Sequence, residues 1–236
     1  MTGLLNLIKE RTAAASRDLA LLAKKEAVDA KAKLTTAIVD GGQPLIVALG
    51  NMATAGGQDD RIASVRILIN RIVALARAEL GNQVTNGSKM RAAYYHLIDE
   101  SSSKGIRKVL LRIESEGRPG TSAPRLRFVE RESDHDDLAI KVALGEDAYF
   151  VENLRKDPPE GFRGAKDKDY ISFISVPVRA GQTHFGMLTA DSDSPLSEVD
   201  KELLILMAGI LSVGLAMLDK QGIEVIVERV KGLVGK

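Results

Sequence analysis

Two apolar runs near the C-terminal end, within residues 170–191, restrict the possible folds of this chain most. The first run covers residues 171–178 and the second covers residues 185–188. Short runs of nearly continuous apolarity predict strands that are buried on one face and partly on the other. Gly181 lies in the link between them, and glycine readily adopts the positive φ of a tight turn. The stretch therefore predicts a β-hairpin, in which Pro177 must point its nitrogen away from the neighbouring strand or lie at a bulge.

A helix is predicted directly after the hairpin. The polar turn ends in Ser197, whose hydroxyl can accept a hydrogen bond from a free backbone amide, while Asp200 can reach back to Ser197. The helix predicted from Ser197 to Leu218 carries two apolar stripes. The first is Val199, Leu203, Leu206, Ile210, Val213 and Met217, and the second is Leu204, Met207, Leu211, Leu215 and Leu218. One sheet covers only one stripe, so the other needs a second partner.

The string FISVPVRAGQTHFGMLTAD, which begins at Phe173, and the helix that follows it to Met217 resemble the end of a GAF domain. In that family a strand with a VPV-type core precedes a GxL-type strand and a long helix. The resemblance extends back to about residue 61. It implies an α+β sandwich with a central antiparallel sheet of about six strands, helices on one face and a small-molecule pocket on the other. It does not imply one function, because GAF domains serve in sensing, dimerisation and occasionally catalysis.

The chain ahead of this region is predicted to be helical. Helices are predicted at residues 4–39, 44–54 and 61–80, separated by glycine pairs. The thin apolar stripe of the first helix predicts that it packs on another helix or on a partner chain. We divide the chain into a helical N-terminal extension (residues 1–57), a GAF-like domain (residues 58–220) and a C-terminal helical tail (residues 221–236).

Strands and loops are predicted between these helices. Strands are predicted at residues 90–98, 106–114, 125–130 and 148–154, and residues 99–105 are predicted to form a loop. Ser133 is predicted to begin a helix that runs to Leu144.

Two further segments are informative. The polar segment 155–169 is predicted to be a mobile lid that closes over the pocket with Phe162 turned inward. Residues 222–235 fit both a helix and a strand, and we favour the helix because Glu224, Glu228 and Lys231 then share one face.

Composition excludes several classes of function. The chain has no cysteine, so disulfides, thiolate metal sites and cysteine nucleophiles are excluded. GAF proteins that reduce free methionine sulfoxide or attach a bilin through a thioether use cysteine, so neither activity is expected by the usual route. The formal net charge of +1 gives no bulk attraction to nucleic acid or anionic membranes. The apolar stretch at residues 203–218 is shorter than the roughly 20 residues of a membrane span, so we expect a cytoplasmic protein.

Metal and phosphate sites are not indicated either. His96, His135 and His184 are scattered, so hydrogen-bonded structural histidines are favoured over haem or metal ligands. The acidic run Asp134, Asp136 and Asp137 is explained by a helix N-terminus. No glycine-rich phosphate-binding motif occurs.

Candidate ligand-binding residues follow from the resemblance, because they lie on segments that border the ligand cavity of GAF domains. They are five aromatic and two basic residues: Tyr94, Phe128, Tyr149, Phe162, Phe185, Arg127 and Arg163. The arginines suit an anionic ligand. Ordinary core packing explains the aromatic residues equally well.

We therefore expect a non-enzymatic GAF-type sensor that binds a small molecule and forms a homodimer through flanking helices. The alternative is a structural assembly domain with a filled pocket, whose N-terminal helices bind a partner protein. The sequence does not identify a cofactor. The predicted dimer interface consists of Ile62, Ile69, Ile72, Leu203, Leu206, Ile210, Val213 and Met217.

Overall fold

The computed structural model describes residues 41–81, 90–103, 105–117, 123–160, 162 and 165–234, with a few isolated positions between 18 and 39. The helix predicted for residues 4–39 therefore lies almost entirely outside the described residues.

Six antiparallel strands form one sheet. The strands are β1 (Met90–Ser102), β2 (Gly105–Glu116), β3 (Arg127–Val129), β4 (Tyr149–Val151), β5 (Ser172–Ala180) and β6 (Thr183–Ser192). Their order across the sheet is β3-β2-β1-β6-β5-β4, so β1 and β6 lie at the centre. The predicted hairpin is confirmed, since β5 and β6 pair from Ser172 opposite Ser192 to Ala180 opposite Thr183.

The helices lie on both faces of this sheet. They are α1 (Gly42–Thr54), α2 (Gln58–Glu79), α3 (Asp134–Leu144), α4 (Glu198–Ala216) and α5 (Lys220–Val234), and a 3₁₀ turn covers Ala165–Asp167. Residues of α1, α2, α4 and α5 share the larger apolar core on one face. Helix α3 packs on the other face, against Tyr95, Leu110 and Met187. The prediction that α2 and α4 lie together on one face is confirmed, and so is the α+β fold class.

Local signals place the helix ends. Ser197 and Asp200 form the predicted capping box, with the Ser197 amide donating to Asp200 at 2.8 Å. Ser133 caps α3 by accepting from the Asp136 amide. The C-terminal segment is the helix that we favoured. Each cap satisfies a backbone amide that a helix end would otherwise leave without a partner.

The predicted loop at residues 99–105 is wrong, because β1 continues to Ser102 and β2 begins at Gly105. Cross-strand ion pairs stabilise this polar extension. Lys108 Nζ lies 2.7 Å from Asp99 Oδ1, and Arg107 Nη2 lies 2.9 Å from Glu100 Oε2. Opposite charges on directly paired residues favour a strand where composition alone indicates a loop.

A bulge at Gly186 changes the direction of the β6 side chains. Val178 pairs with Gly186 but Arg179 pairs with His184, so Phe185 has no partner on β5. Gly186 has a φ of 143°, and a Cβ there would lie 1.9 Å from the Tyr95 carbonyl oxygen. Only glycine permits this close approach of the two central strands.

The two stripes of α4 have different environments. Leu204, Met207, Leu211 and Leu215 are buried in the core, whereas Leu206 is 44% exposed and Val213 is 48% exposed. Among the predicted dimer-interface residues, Ile69, Ile72 and Leu203 are buried within their own chain. These three residues were predicted wrongly as interface residues, because the sheet and the neighbouring helices already cover their side chains. Ile62 and Ile210 are partly buried, and Met217 is exposed.

The core extends past the predicted boundaries at residues 57 and 220. Leu45 and Met52 of α1 and Ile226 of α5 belong to the same buried cluster as α2 and α4. Within the described residues, no single helix has the length and apolarity of a membrane span, and only α4 and α5 taken together, with a bend of 113° between them, pass that test.

We expect Gly186→Ala to destabilise the fold much more than Gly181→Ala. Both glycines have a positive φ, but a Cβ at Gly181 meets open space. Gly181→Ala should therefore cost about 1 kcal/mol of unfolding free energy, and Gly186→Ala at least about 2 kcal/mol more. Denaturant titration measures both values, and equal costs would show that the Gly186 contact with Tyr95 is relaxed in solution.

Candidate functional site

A cavity of about 240 Å³ lies between the sheet and α3, on the face opposite the main helical layer. Its floor consists of side chains from the central strands: Arg91, Ala93, Tyr95, Met187, Thr189 and Asp191. The alternation of strands determines this set, because every second residue of β1 and β6 points to this face. Helix α3, the segment that contains Phe162 and Lys168, and residues of β3, β4, β5 and the segment before β3 form the walls.

Aromatic rings surround the cavity. The chain has five Phe and four Tyr, and six of these nine line the cavity: Tyr95, Phe128, Tyr149, Phe162, Tyr170 and Phe173. His135 completes a continuous arc of rings. Its ring centroid lies 5.4 Å from that of Phe128 and 4.5 Å from that of Phe162, which in turn lies 6.0 Å from Phe173. Such an arc offers flat apolar surface and ring faces to a ligand.

Arg91 is a buried cation at the cavity floor. Its Nε lies 2.8 Å from Asp191 Oδ1, and its Nη2 lies 3.4 Å from Asp169 Oδ1. The guanidinium also lies 5.4 Å from the centroid of the Tyr170 ring. Burial alone would lower the pKa of Arg91, but the two carboxylates outweigh burial and raise it. Burial also raises the pKa of the Tyr170 hydroxyl, which stays protonated.

A second ion pair attaches α3 to the strand β3. Arg125 donates to both carboxylate oxygens of Asp136, with distances of 2.6 and 3.0 Å. Asp136 is fully buried and also accepts from the Val129 amide at 3.1 Å. This bidentate pair holds the first turn of α3 in place. It thereby positions His135 at the cavity wall.

His135 and Lys168 are the polar groups of the wall that remain available to a ligand. Neither ring nitrogen of His135 has a hydrogen-bond partner within the described residues, and Lys168 has no carboxylate partner there either. The Lys168 ammonium lies 5.7 Å from the centroid of the Phe162 ring. Burial, aided by nearby Lys168, lowers the pKa of His135 to about 4. The imidazole is therefore neutral at neutral pH.

Hydroxyl groups line the strand face of the cavity. Thr189 Oγ1 donates to the Ile174 carbonyl at 2.9 Å and lies 3.0 Å from Ser175 Oγ. Because the Thr189 proton goes to the backbone, Ser175 donates to Thr189 and keeps lone pairs that can accept from a ligand.

Three of the seven predicted ligand-binding residues line the cavity: Phe128, Tyr149 and Phe162. Tyr94 and Phe185 do not, because both are buried in the core on the opposite face. The alternation of side chains along β1 directs Tyr94 to the helical face, and the bulge at Gly186 directs Phe185 there. Arg127 is also wrong, since it pairs with Glu100 at 3.1 Å outside the cavity. Arg163 lies outside the described residues.

The residues that sequence reasoning missed are mainly polar. Arg91, His135, Lys168, Tyr170 and Asp191 all line the cavity. Strand alternation could have found two of them, because Arg91 shares a face with Ala93 and Tyr95, and Asp191 shares a face with Thr189. Within the described residues, no group of three or more His, Asp or Glu side chains is arranged to hold a metal ion.

Comparison with known proteins gives structural neighbours only. No family model matches the sequence, and no curated protein matches it. The structure is similar to the GAF domain of an Acinetobacter phosphoenolpyruvate-protein phosphotransferase (TM-score 0.44, 17% identity, 73% of this chain and 90% of that one). It is also similar to the GAF domain region of a putative membrane protein from Geobacter sulfurreducens (TM-score 0.47, 19% identity, 67% and 97%). A third neighbour is the free methionine-R-sulfoxide reductase of Neisseria meningitidis (TM-score 0.47, 17% identity, 73% and 86%).

The architecture of the chain is that of a GAF-like fold. The six-stranded antiparallel sheet, the helical layer on one face and the cavity on the other are the features that the resemblance of residues 173–217 implied. The assignment concerns the fold alone, and no residue of this GAF-like chain takes a role from its neighbours.

We expect His135→Phe to reduce the acid sensitivity of the protein. The folded-state pKa of His135 is about 4, below the ordinary value of about 6.5, so the unfolded state binds more protons in that window. Stability is therefore lost as pH falls from 6.5 towards 4. Phenylalanine keeps the ring contacts but does not titrate, so the loss of unfolding free energy between pH 7.5 and 5 should shrink by about 1 kcal/mol. An unchanged pH dependence would contradict the buried, neutral imidazole.

Proposed function

We propose that this GAF-like chain is a non-catalytic sensor or regulatory module that binds a small molecule in the cavity between the sheet and α3. The observation that carries the proposal is that side chains do not fill this face of the sheet. They leave about 240 Å³ open, with rings on the walls and a buried cation on the floor. Apolar walls with a few convergent polar groups are typical of small-molecule sites.

The size of the cavity limits the ligand. Drug-sized ligands occupy pockets of roughly 300–1,000 Å³, so a cavity of about 240 Å³ suits a smaller molecule. Phe162 is buried against Val151 and Leu154, as the inward orientation predicted from the sequence requires. The lid proposal requires the segment that carries Phe162 to move outward, which would enlarge the site. Lys168 and the neutral His135 can then orient the ligand.

A non-catalytic role is supported by the chemistry that the chain contains. It has no cysteine, and the described cavity residues have no paired nucleophile and base. One structural neighbour is a reductase, but its activity is not transferred to this chain. The second candidate function is an assembly domain, which the open cavity does not favour.

Exposed apolar side chains on α4 support the second half of the proposal, which is homodimer formation. Leu206, Val213 and Met217 are exposed and Ile210 is partly buried, and these four residues recur at steps of three and four, so they form one stripe on the outer side of the helix. Burying such a stripe against its symmetry mate removes apolar surface from water. A two-fold contact along α4 would place two sensor cavities in one assembly.

Ligand binding is tested by native mass spectrometry of protein purified from its own host. Ala123 is exposed and lines the cavity, so Ala123→Trp should obstruct it without disturbing the core. We expect the wild type to carry a bound mass that the variant lacks. Ala53→Trp, at an exposed alanine of α1 that does not line this cavity, is the matched control and should keep the mass. A wild type without any bound mass, or a mass that Ala123→Trp retains, would contradict the proposed site.

Dimer formation is tested by sedimentation equilibrium with Leu206→Glu. A charge in the centre of the α4 stripe should convert a dimer into a monomer of about 25.4 kDa, because an unpaired charge is costly in an apolar interface. Ile106→Glu is the control, since Ile106 is 71% exposed at the β1–β2 turn, far from α4 in the fold. A monomeric wild type would reject the dimer and leave partner binding through the N-terminal helices as the alternative.

A further inference from the structure

A second opening lies at the hairpin end of the sheet, under helix α5. It has a volume of about 720 Å³ and is lined by the second half of β1, the β5–β6 turn region, the end of α4 and α5. It shares no lining residue with the cavity described above. We call it the α5 cleft. Its volume falls within the range of small-molecule sites.

The inner wall of the α5 cleft is apolar. It is formed by Ile98, Phe185, Leu218, Ile223 and Val227. Phe185 is there because the bulge at Gly186 turns it away from the first cavity. The wall is thus built by the bulge at Gly186 and by side chains on the inner side of α5.

One polar group projects from this wall. His96 lines the cleft and is only 6% exposed. Its Nδ1 lies 2.8 Å from the Tyr94 hydroxyl, which is fully buried and also 3.2 Å from the Phe185 carbonyl oxygen. Within the described residues, His96 Nε2 has no hydrogen-bond partner, although this atom is not sealed from solvent. The open nitrogen of a firmly held imidazole therefore faces the cleft.

The charge of His96 indicates what it can bind. Burial lowers the pKa of His96 to about 4, so the ring is neutral at neutral pH. A neutral imidazole nitrogen donates or accepts one hydrogen bond, depending on which way the Tyr94 proton points. The cleft is lined by charged residues of both signs, which are Lys220, Lys231, Asp99, Glu224 and Glu228. Lys231 is paired with Glu228 and Asp99 with Lys108, each at 2.7 Å. Nothing in the cleft selects a charged ligand.

We infer that the α5 cleft is a second binding site, which takes an uncharged and mainly apolar organic molecule with one hydroxyl or carbonyl oxygen hydrogen-bonded to His96 Nε2. The molecule contacts Ile223 and Val227 of α5 on one side and Phe185 of the sheet on the other. Occupancy therefore links α5 directly to the central strands. This site is independent of the sensor cavity and of its ligand.

Nile red serves as the probe, because it is uncharged, mainly apolar and carries a carbonyl oxygen, and its emission shifts to the blue in apolar surroundings. We expect saturable one-to-one binding to the full chain. Ala216 is exposed and lines the cleft, so Ala216→Trp should abolish binding. Ala123→Trp obstructs the other cavity and should leave binding unchanged. Loss of binding in Ala123→Trp alone, or no binding at all, would overturn the inference.

His96→Phe tests the hydrogen bond within the site. The Tyr94 hydroxyl can still donate to the Phe185 carbonyl in this variant, so the core keeps a satisfied hydroxyl. We expect Nile red affinity to fall roughly five- to tenfold, as for the loss of one hydrogen bond. Methyl resonances of Ile223 and Val227 should shift on titration of the wild type, while those of Val142 in the other cavity should not. Equal affinity of wild type and variant, or shifts confined to Val142, would overturn the assignment.

Discussion

The pairing of β1 with β6 at the centre of the sheet is the constraint on which the other features depend, because both faces of this pair are covered. Tyr94 and Leu188 point into the helical layer, while Tyr95 and Met187 point towards α3. A shift of one residue in this register would turn one of the two strands over and place either Arg91 or Asp191 in the apolar core. The close contact of the Gly186 backbone with the Tyr95 carbonyl favours the observed register of β1 and β6. This contact thus helps to decide which side chains form the floor of the cavity beside α3 and places Phe185 at the α5 cleft.

Buried charge distinguishes the two faces. The helical face is almost entirely apolar, whereas the opposite face holds the Arg91–Asp191 pair and the Arg125–Asp136 pair. Buried ion pairs contribute little net stability, although removing one partner costs several kcal/mol. Apolar residues of equal volume would fill this face at least as well. The Arg91–Asp191 pair lies at the floor of the open cavity, whereas the Arg125–Asp136 pair, whose arginine side chain is 46% exposed, holds the first turn of α3.

The helices show a related division between internal and external packing. Helix α2 packs against the sheet, α1 and α4, so most of its broad apolar surface is covered within the chain, although Ile67 is 50% exposed. Helix α4 buries one stripe and leaves the other exposed. Gly214 permits the close packing of α4, because a Cβ there would meet Leu68 of α2. Internal packing therefore accounts for most of α2, while α4 retains an exposed apolar stripe. Helix α1 also exposes apolar side chains, with Ile46 67% and Val47 52% exposed.

The sequence by itself determined the features that depend on near neighbours along the chain. The hairpin around Gly181, the capping box of Ser197 and the cap at Ser133 depend on residues that are at most a few positions apart, so they were predicted correctly. Tertiary structure decided the rest. The extension of β1 past Asp99 needs charges on β2, and the position of Phe185 needs a backbone contact with Tyr95, about ninety positions away. The cavity combines residues from seven separate segments. A periodic pattern shows that a strand has two faces, but only packing against other elements decides what each face meets.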